Sequence, residues 1–288
     1  MTRGRSPYLV LATAVLFVSF GSILVRAAQA PALAVAFHRT ALASLLLLPF
    51  AARPAARSWP ALGARRWALL LGAGAALALH FATWIASLSY TSVAASVLLV
   101  NTTPLFSLGL ARLLLGERAS PAVVTGTLLA LAGTAVIVRG DAAGGAAPLL
   151  GDALALAGAV TLSFYHLAGR GLREALPLPA YVLAVWSSAA LGLGLLAVGF
   201  GTPLLGHPAR AWLAFLGLAV VPTLGGHGLV NRALRELPAP TVGLFMLGEP
   251  VGATLLALLF LGESPSGATL LGGLLVLSAL LLVARSER

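Results

Sequence analysis

The sequence predicts an all-α polytopic membrane protein with ten transmembrane helices, arranged as two inverted five-helix repeats. Three observations support this prediction. The composition is that of a membrane protein, the chain contains ten apolar stretches of spanning length, and the two halves of the chain align with each other.

The composition places nearly the whole chain in a bilayer. Of the 288 residues, 59% are hydrophobic and 9% are charged, and the mean hydropathy is +1.00. Soluble domains carry about 25% charged residues. The chain has no Cys, which excludes disulfides, thiol catalysis and Cys-based metal sites.

Ten stretches reach the roughly 20 mostly apolar residues that a membrane-spanning helix needs. They cover about residues 8–26, 32–50, 67–88, 93–115, 121–138, 149–169, 179–200, 210–230, 239–262 and 266–284. The first stretch follows two arginines, as in a signal peptide. Its removal would leave nine spans and break the symmetry of the two halves, so we expect it to be retained.

The two halves of the chain, residues 1–144 and 145–288, are related in sequence. A shift of 146 residues aligns 88–139 with 234–285, with sixteen of 52 positions identical, and pairs Pro104 with Pro250. Each half has five predicted spans, an odd number, so the second half enters the membrane from the opposite side. Inverted repeats of this kind are common in secondary transporters.

The distribution of arginine predicts the orientation. With the N-terminus in the cytoplasm, three loop arginines lie outside and fourteen lie inside. The fourteen are Arg3, Arg5, Arg53, Arg57, Arg65, Arg66, Arg112, Arg118, Arg170, Arg173, Arg232, Arg235, Arg285 and Arg288. This positive-inside bias predicts a multi-pass protein of a bacterial-type inner membrane with both termini cytoplasmic. The arginines are dispersed among short loops, so the charge of +10 does not indicate nucleic-acid binding.

A second aligned motif is found after the fourth and ninth spans. Leu115-Gly116-Glu117 falls on Leu261-Gly262-Glu263 in the 146-residue shift. Each Glu lies just before the next helix, where negative charge is favourable, so we predict a structural role for both, with a minor gating role as the alternative. Together with the Asn101-Thr102-Thr103-Pro104 and Glu249-Pro250-Val251 segments, these motifs resemble the paired EamA repeats of the drug/metabolite transporter superfamily. The resemblance covers the whole chain. Within the superfamily, the chain is similar to bacterial exporters of amino acids, including aromatic amino acids.

The candidate substrate cavity is predicted from polar groups inside spans, which are costly and face a cavity or another helix. Glu249 is the only acid near the middle of a span and is followed by Pro250. It either binds a substrate ammonium or exchanges a proton, or it holds helices together. Asn101 precedes Pro104 at a similar depth and needs a partner from outside its own helix, so it either lines the pathway or is structural.

Two further helices supply candidates. His80, Trp84 and Ser87 recur at helical spacing on one face of the third span, either as a binding surface or as a packed core. Toward the cytoplasmic side, a second group is predicted to form an inner vestibule or to be structural. This group consists of Ser163, Tyr165 and His166 on the sixth span and His227 and Asn231 on the eighth.

Arg39 lies in the outer half of the second span. A buried Arg binds a carboxylate bidentately, which would suit an amino acid, but snorkelling to the interface is an equal alternative. Trp59, Trp67, Tyr181 and Trp212 lie near span ends and are predicted to be interfacial anchors.

These features predict a secondary transporter that exports small metabolites, with amino acids as the favoured cargo. We expect a small-molecule substrate and the bilayer as partners, with protons as an open coupling ion, and no cofactor, metal or obligate protein partner. The alternatives are a drug or nucleotide-sugar carrier on the same scaffold, a channel, or a non-transporting receptor. An enzyme is not expected, because the phosphate loop, the His-Glu-x-x-His motif and the Gly-x-Ser-x-Gly turn are all absent from the sequence.

Overall fold

The computed structural model describes residues 7–91, 96, 99–116, 119–140, 147–173, 176–261 and 267–286, and all secondary structure in these ranges is helical. The first half contains α1 (Pro7–Ser19), α2 (Gly21–Ala28), α3 (Ala32–Ser58), α4 (Ala64–Ser87), α5 (Thr103–Leu110) and α6 (Pro121–Gly140). The second half contains α7 (Pro148–Arg173), α8 (Leu178–Gly199), α9 (Ala209–Leu218), α10 (Gly228–Ala233), α11 (Ala239–Met246), α12 (Glu249–Leu261) and α13 (Gly267–Ser286). Glu117 and Glu263 lie outside the described residues.

Two segments of π-helix continue these α-helices. One covers Ala111–Leu115 after α5, and the other covers Ala219–His227 between α9 and α10. A short 3₁₀ helix, Trp59–Ala61, follows α3. π-Helical turns occur frequently at functional sites, and the segment Ala219–His227 contributes to the cavity described below.

Six helical segments in the described part of the chain are long and apolar enough to cross a membrane. They are Pro7–Val25, Ala32–Ala61, Ala64–Ser87, Leu149–Gly169, Leu178–Gly199 and Ala209–Ala233. Shorter apolar helices cover Thr103–Leu114, Pro121–Gly133 and Leu270–Val283. The protein is therefore a multi-pass membrane protein.

Helices of the first half pack against their counterparts in the second half. The second predicted spans, α3 and α8, pack together, as do the fifth, α6 and α13. The first span of each half packs against the third span of the other: α1 contacts the π-helical segment Ala219–His227, and α7 contacts α4. The short helices α5 and α11 also contact each other. This reciprocal pairing gives the helix contacts an approximate two-fold symmetry.

The outer surface of this bundle is strongly apolar. Large hydrophobic side chains that point outward include Leu45, Leu71, Leu113, Leu195, Leu213 and Leu274. A soluble monomer rarely exposes apolar patches of this extent, and contact with lipid acyl chains explains them. The largest buried cluster lies between α3, α4 and α8, with Phe81, Tyr181 and Trp186 at its centre.

The helix of the second span is longer than its apolar stretch at residues 32–50, and one predicted interfacial anchor is buried. Helix α3 continues through Pro49 and Pro54 to Ser58, because Ala51 and Ala55 pack against Ala180 and Leu183 of α8 and this packing offsets the missing backbone donors. Tyr181 is fully buried and does not act as an interfacial anchor. Trp212 is 38% exposed, and the rings of Trp59 and Trp67 contact each other at 5.6 Å between centroids.

Candidate functional site

A central cavity lies between the two halves of the chain. It encloses about 700 Å³ of unoccupied space, part of which is open to the surroundings. It is lined by Val18, Gly21, Arg39, His80, Trp84, Val100, Asn101, Thr103, Leu162, His166, Pro222, His227, Val230, Met246 and Glu249.

The first half contributes a helix interruption to the cavity wall. Leu99 and Val100 are helical, residues 101 and 102 form a turn, and α5 begins at Thr103. The backbone N–H of Thr102 donates to Leu99 O at 3.1 Å, and Pro104 has no N–H to continue an α-helical ladder. The interruption therefore places Asn101 and Thr103 on the cavity wall.

The second half has an interruption at the equivalent position. Helix α11 ends at Met246, a turn covers Leu247 and Gly248, and α12 begins at Glu249. The N–H of Gly248 donates to Phe245 O at 3.0 Å. In the 146-residue alignment Glu249 corresponds to Thr103. The cavity is thus bounded by the same backbone feature from both halves.

Arg39 is the cation of the described cavity wall. It is 1% exposed, so it does not snorkel to the interface. Its Nε and Nη2 donate to Thr223 Oγ1 at 3.2 and 3.1 Å, and its guanidinium carbon lies 4.2 Å from the centroid of the Phe81 ring. No described residue accepts a hydrogen bond from Nη1.

Thr223 is held by the π-helical segment. Its Oγ1 donates to Leu218 O at 2.7 Å, five residues earlier, so its lone pairs remain for the Arg39 donors. The neighbouring Pro222 lacks an N–H, which favours departure from α-helical bonding. The guanidinium is therefore positioned by a hydroxyl from the opposite half of the chain.

Glu249 is the acid of the described cavity wall. No described residue donates a hydrogen bond to its carboxylate, while its backbone oxygen accepts from Ser19 Oγ at 3.3 Å. Glu249 and Arg39 interact electrostatically, yet no nitrogen–oxygen pair between them lies within 4.0 Å. The cavity thus holds one positive and one negative side chain apart.

His80 and Trp84 form a flat surface beside these charges. Their rings stack with an interplanar angle of 3° and centroids 5.9 Å apart. His80 Nδ1 lies 3.0 Å from Gly158 O. A carbonyl can only accept, so Nδ1 carries the proton in this contact. The backbone contact thereby orients the imidazole ring against α7.

Several buried polar atoms of the cavity wall have no hydrogen-bond partner among the described residues. They are Trp84 Nε1, Asn101 Nδ2, His166 Nδ1 and His227 Nδ1. Buried polar groups are nearly always paired, and these four atoms are unpaired with less than 1 Å² of accessible surface each. The described residues include no group of three or more His, Cys, Asp or Glu placed to hold a metal ion.

Four predicted candidates do not line this cavity. Ser87 bonds to Trp84 O and to Ser96 Oγ, and Ser163 donates to Thr103 O at 3.0 Å. Asn231 donates to His227 O at 2.8 Å and to the hydroxyl of Tyr165. Their polar atoms form hydrogen bonds within the helix bundle. These side chains therefore stabilise the helices behind the cavity wall and do not face the cavity. The candidates that do line the cavity are His80, Trp84, Asn101, His166, His227, Arg39 and Glu249.

The sequence prediction missed Thr223 and the apolar lining. Thr in an apolar span ordinarily bonds to its own helix, so Thr223 gave no signal by itself. The surrounding Pro222, Gly225 and Gly226 did form a usable signal, because Gly- and Pro-interrupted apolar segments indicate broken helices at binding sites.

A polytopic helical protein with two related halves, each broken beside a shared cavity that contains charged and polar side chains, has an architecture found in many membrane transporters. Comparison of the sequence with known families agrees with this class. The EamA-like transporter family matches twice, over residues 5–139 and 149–285. The chain belongs to this family.

Individual relatives have several stated functions. A probable terminal-alkyne amino-acid exporter of Streptantibioticus cattleyicolor is 31% identical over 194 residues, covering 65% of this chain and 63% of that protein. A riboflavin transporter of Rhizobium johnstonii is 32% identical over 213 residues, covering 73% and 68%. An aromatic amino acid exporter of Ancylobacter novellus is 30% identical over 200 residues, covering 68% of each chain. The match thus spans less than two thirds of the first of these proteins.

The fold also has a counterpart among solved structures. One crystal structure superposes with a TM-score of 0.78, covering 98% of this chain and 99% of that protein, at 23% sequence identity. At this identity the similarity concerns the fold alone.

Proposed function

We propose that this protein is a secondary transporter that exports small metabolites, amino acids in particular, by alternating access between two inverted five-helix repeats. The two repeats are residues 1–144 and 145–288. The observation that carries the proposal is the pair of helix interruptions, at residues 101–102 and 247–248, on either side of one cavity. Interrupted helices at corresponding positions of two halves are the best sequence-level indication of a transporter binding site.

The ten-span inverted topology is part of the proposal. The reciprocal packing of α3 with α8 and of α6 with α13 fits two copies of one five-span unit. The arginine distribution favours cytoplasmic termini in a bacterial-type inner membrane. Rocking of one repeat against the other would then expose the cavity to each side in turn.

The charged and polar side chains of the cavity wall favour transport of a polar solute. Arg39, Asn101 and Glu249 line the cavity, and an apolar ligand would leave hydrogen-bonding groups there unsatisfied at a cost of roughly 1–3 kcal/mol each. Two of the relatives named above are called amino-acid exporters, which supports amino acids as the cargo. The alternative is a drug, vitamin or nucleotide-sugar carrier on the same scaffold.

The test is counterflow of labelled amino acids into liposomes that contain the purified protein. The panel includes phenylalanine, leucine, threonine, lysine and glutamate, with riboflavin as a non-amino-acid probe. We expect saturable uptake of neutral amino acids that unlabelled amino acids suppress. The control variant Leu213→Ala changes a side chain that is 72% exposed on the apolar surface and should transport as the wild type does.

Two outcomes would contradict this proposal. Uptake of riboflavin without any amino acid would assign the protein to the alternative cargo class. Absence of uptake of every probe, by protein that is monodisperse and shows cooperative thermal unfolding, would refute transport of these metabolites.

A further inference from the structure

We infer that the cavity is a receptor for a dipolar ligand, in which Arg39 binds the carboxylate and Glu249 binds the ammonium group of a zwitterionic α-amino acid. This inference rests on the proposed function and narrows its cargo. Thr223 is assigned as the positioning residue that presents the guanidinium.

The protein contacts one edge and one face of the Arg39 guanidinium. Thr223 Oγ1 occupies one edge of the guanidinium, through Nε and Nη2, and the Phe81 ring covers its face at 4.2 Å. The edge that includes Nη1 has no partner among the described residues. Arginine binds carboxylates through two parallel N–H donors, and this edge can supply them to a ligand in the cavity.

Arg39 and Glu249 line the same cavity without forming a direct ion pair. A buried charge is costly unless it is paired, and the simplest pairing would be a direct ion pair between Arg39 and Glu249. The two side chains line the same cavity, but no nitrogen–oxygen pair between them lies within 4.0 Å. A molecule that carries both charges completes both pairs at once.

Ligands of other charge fit these two side chains less well. An amine without a carboxylate would leave Arg39 uncompensated. A phosphate or nucleotide sugar would bring excess negative charge close to Glu249. The described lining has one Arg and one Glu, so a ligand with one charge of each sign matches it best.

The rest of the cavity lining favours an apolar ligand side chain. Next to the charged pair the cavity is lined by the stacked His80 and Trp84 rings and by Val100, Leu162 and Met246. Aromatic faces and apolar side chains favour an apolar or aromatic substituent. The site is therefore expected to prefer large neutral amino acids to small or charged ones.

Arg39 belongs to the first half of the chain and Glu249 to the second. A bound zwitterion consequently joins the two halves through its two ends. Thr223 already connects them through Arg39, so the guanidinium has a defined position before the ligand arrives. Preorganisation of this kind lowers the entropic cost of binding.

The experiment compares two triads of probes that differ only in their charged groups. The first is phenylalanine, phenethylamine and 3-phenylpropionate, and the second is leucine, isoamylamine and 4-methylpentanoate. Each probe is measured as a competitor of labelled phenylalanine or leucine in counterflow. Each is also measured as a stabiliser of the full-length detergent-solubilised protein against thermal unfolding. For the wild type we expect each amino acid to bind roughly ten- to hundredfold more tightly than its two analogues.

Variants at the two ends should shift this preference in opposite directions. Arg39→Gln should lose the advantage of phenylalanine over phenethylamine, whereas Glu249→Gln should lose the advantage of phenylalanine over 3-phenylpropionate. This crossed pattern separates ligand contacts from general loss of structure, which would weaken all three probes alike.

Thr223 supplies a matched pair of milder variants. Thr223→Val removes the hydroxyl while preserving shape, and we expect about tenfold weaker binding of the two carboxylate-bearing probes with unchanged binding of phenethylamine. Thr223→Ser retains the hydroxyl and should restore the wild-type preference. This pair tests the inference even if the Arg39 variant does not fold.

Equal stabilisation of the wild type by the three members of both triads would overturn the inference, as would the absence of stabilisation by both amino acids. Selective stabilisation without counterflow would retain the dipolar site and refute the transport function. Counterflow without selectivity within a triad would retain transport and refute the dipolar site.

Discussion

The two helix interruptions have the same backbone form and different side-chain chemistry. In the first half, Thr102 and Thr103 bond back to Leu99 O and Val100 O, which leaves Asn101 Nδ2 as the unpaired donor. In the second half, the aligned residues are Leu247, Gly248 and Glu249, and the carboxylate of Glu249 has no hydrogen-bond donor among the described residues. The repeated backbone geometry therefore sets where the cavity forms. The side chains, which differ between the two halves, make the two sides of the cavity chemically different.

This inequality has a functional consequence. A cavity built from two identical interruptions would present the same groups from both sides and could not distinguish the two ends of a ligand. Arg39 in the first half is matched in the second half by apolar residues at shifts of 144 to 146, namely Leu183, Ala184 and Val185. The charged groups of the site are thus among the positions at which the two halves differ.

The largest effect is expected when Glu249 of the second interruption is replaced by Thr, the residue type at the aligned position Thr103 of the first interruption. Glu249→Thr removes the acid of the described lining and leaves Arg39 without a counter-charge, and we expect amino-acid counterflow to fall at least about a hundredfold. Circular dichroism and gel filtration should show a folded protein. Counterflow within twofold of the wild type would show that the acid has a structural role only.

The reciprocal change, Asn101→Leu, gives the first interruption the residue found at the aligned position of the second. It removes a buried unpaired amide, so we expect unchanged or slightly higher thermal stability, by about 0–2 kcal/mol. Counterflow should fall about tenfold because one polar side chain of the cavity lining is lost. A marked decrease in thermal stability with normal transport would show that Asn101 has a structural role instead.

Packing between the fifth spans of the two halves should affect stability without changing selectivity. A Cβ added at Gly133 of α6 would come within 2.6 Å of Gly272 O in α13. Because backbone must move to accommodate it, Gly133→Ala should destabilise the fold by about 1–3 kcal/mol. The matched control is Gly109→Ala, which meets no atom within 4 Å. Equal unfolding temperatures for the two variants would contradict the close packing of α6 and α13.

The smallest effect is expected from a proton gradient. If Glu249 binds the substrate ammonium, the same carboxylate is occupied and cannot also carry a coupling proton, so counterflow should change less than twofold when a pH gradient is imposed. The measurement is uptake at equal and unequal pH across the liposome membrane. Stimulation in the wild type that disappears in Glu249→Gln would establish proton coupling through this residue.

Sequence reasoning succeeded where a residue is marked by its own chemistry or by the repeat. Glu249 and Asn101 were found because Glu249 directly precedes Pro250 and Asn101 lies three residues before Pro104, each in a mainly apolar span. Their common position at the cavity follows from the same alignment. His80 and Trp84 were found from their helical spacing, and the structure stacks them on the cavity wall.

The faces of several helices were not predictable in the same way. In a membrane bundle both the lipid-facing side and the core-facing side of a helix are apolar, so hydropathy does not reveal which side points inward. Ser163, Tyr165 and Asn231 were consequently placed in a vestibule, whereas their polar atoms bond to neighbouring helices. Only the packing of α7 with α4, α5 and α10 sets that rotation.

The sequence by itself determined the membrane solvent, the helical class, the doubled unit and its family, because hydropathy, internal alignment and short motifs are local properties of the chain. The tertiary structure alone decided the environment of Arg39. Whether a long cationic side chain reaches the interface or stays buried depends on partners distant in sequence, here Phe81 and Thr223. It also decided which polar groups share one cavity, because the cavity forms only where helices from both halves meet.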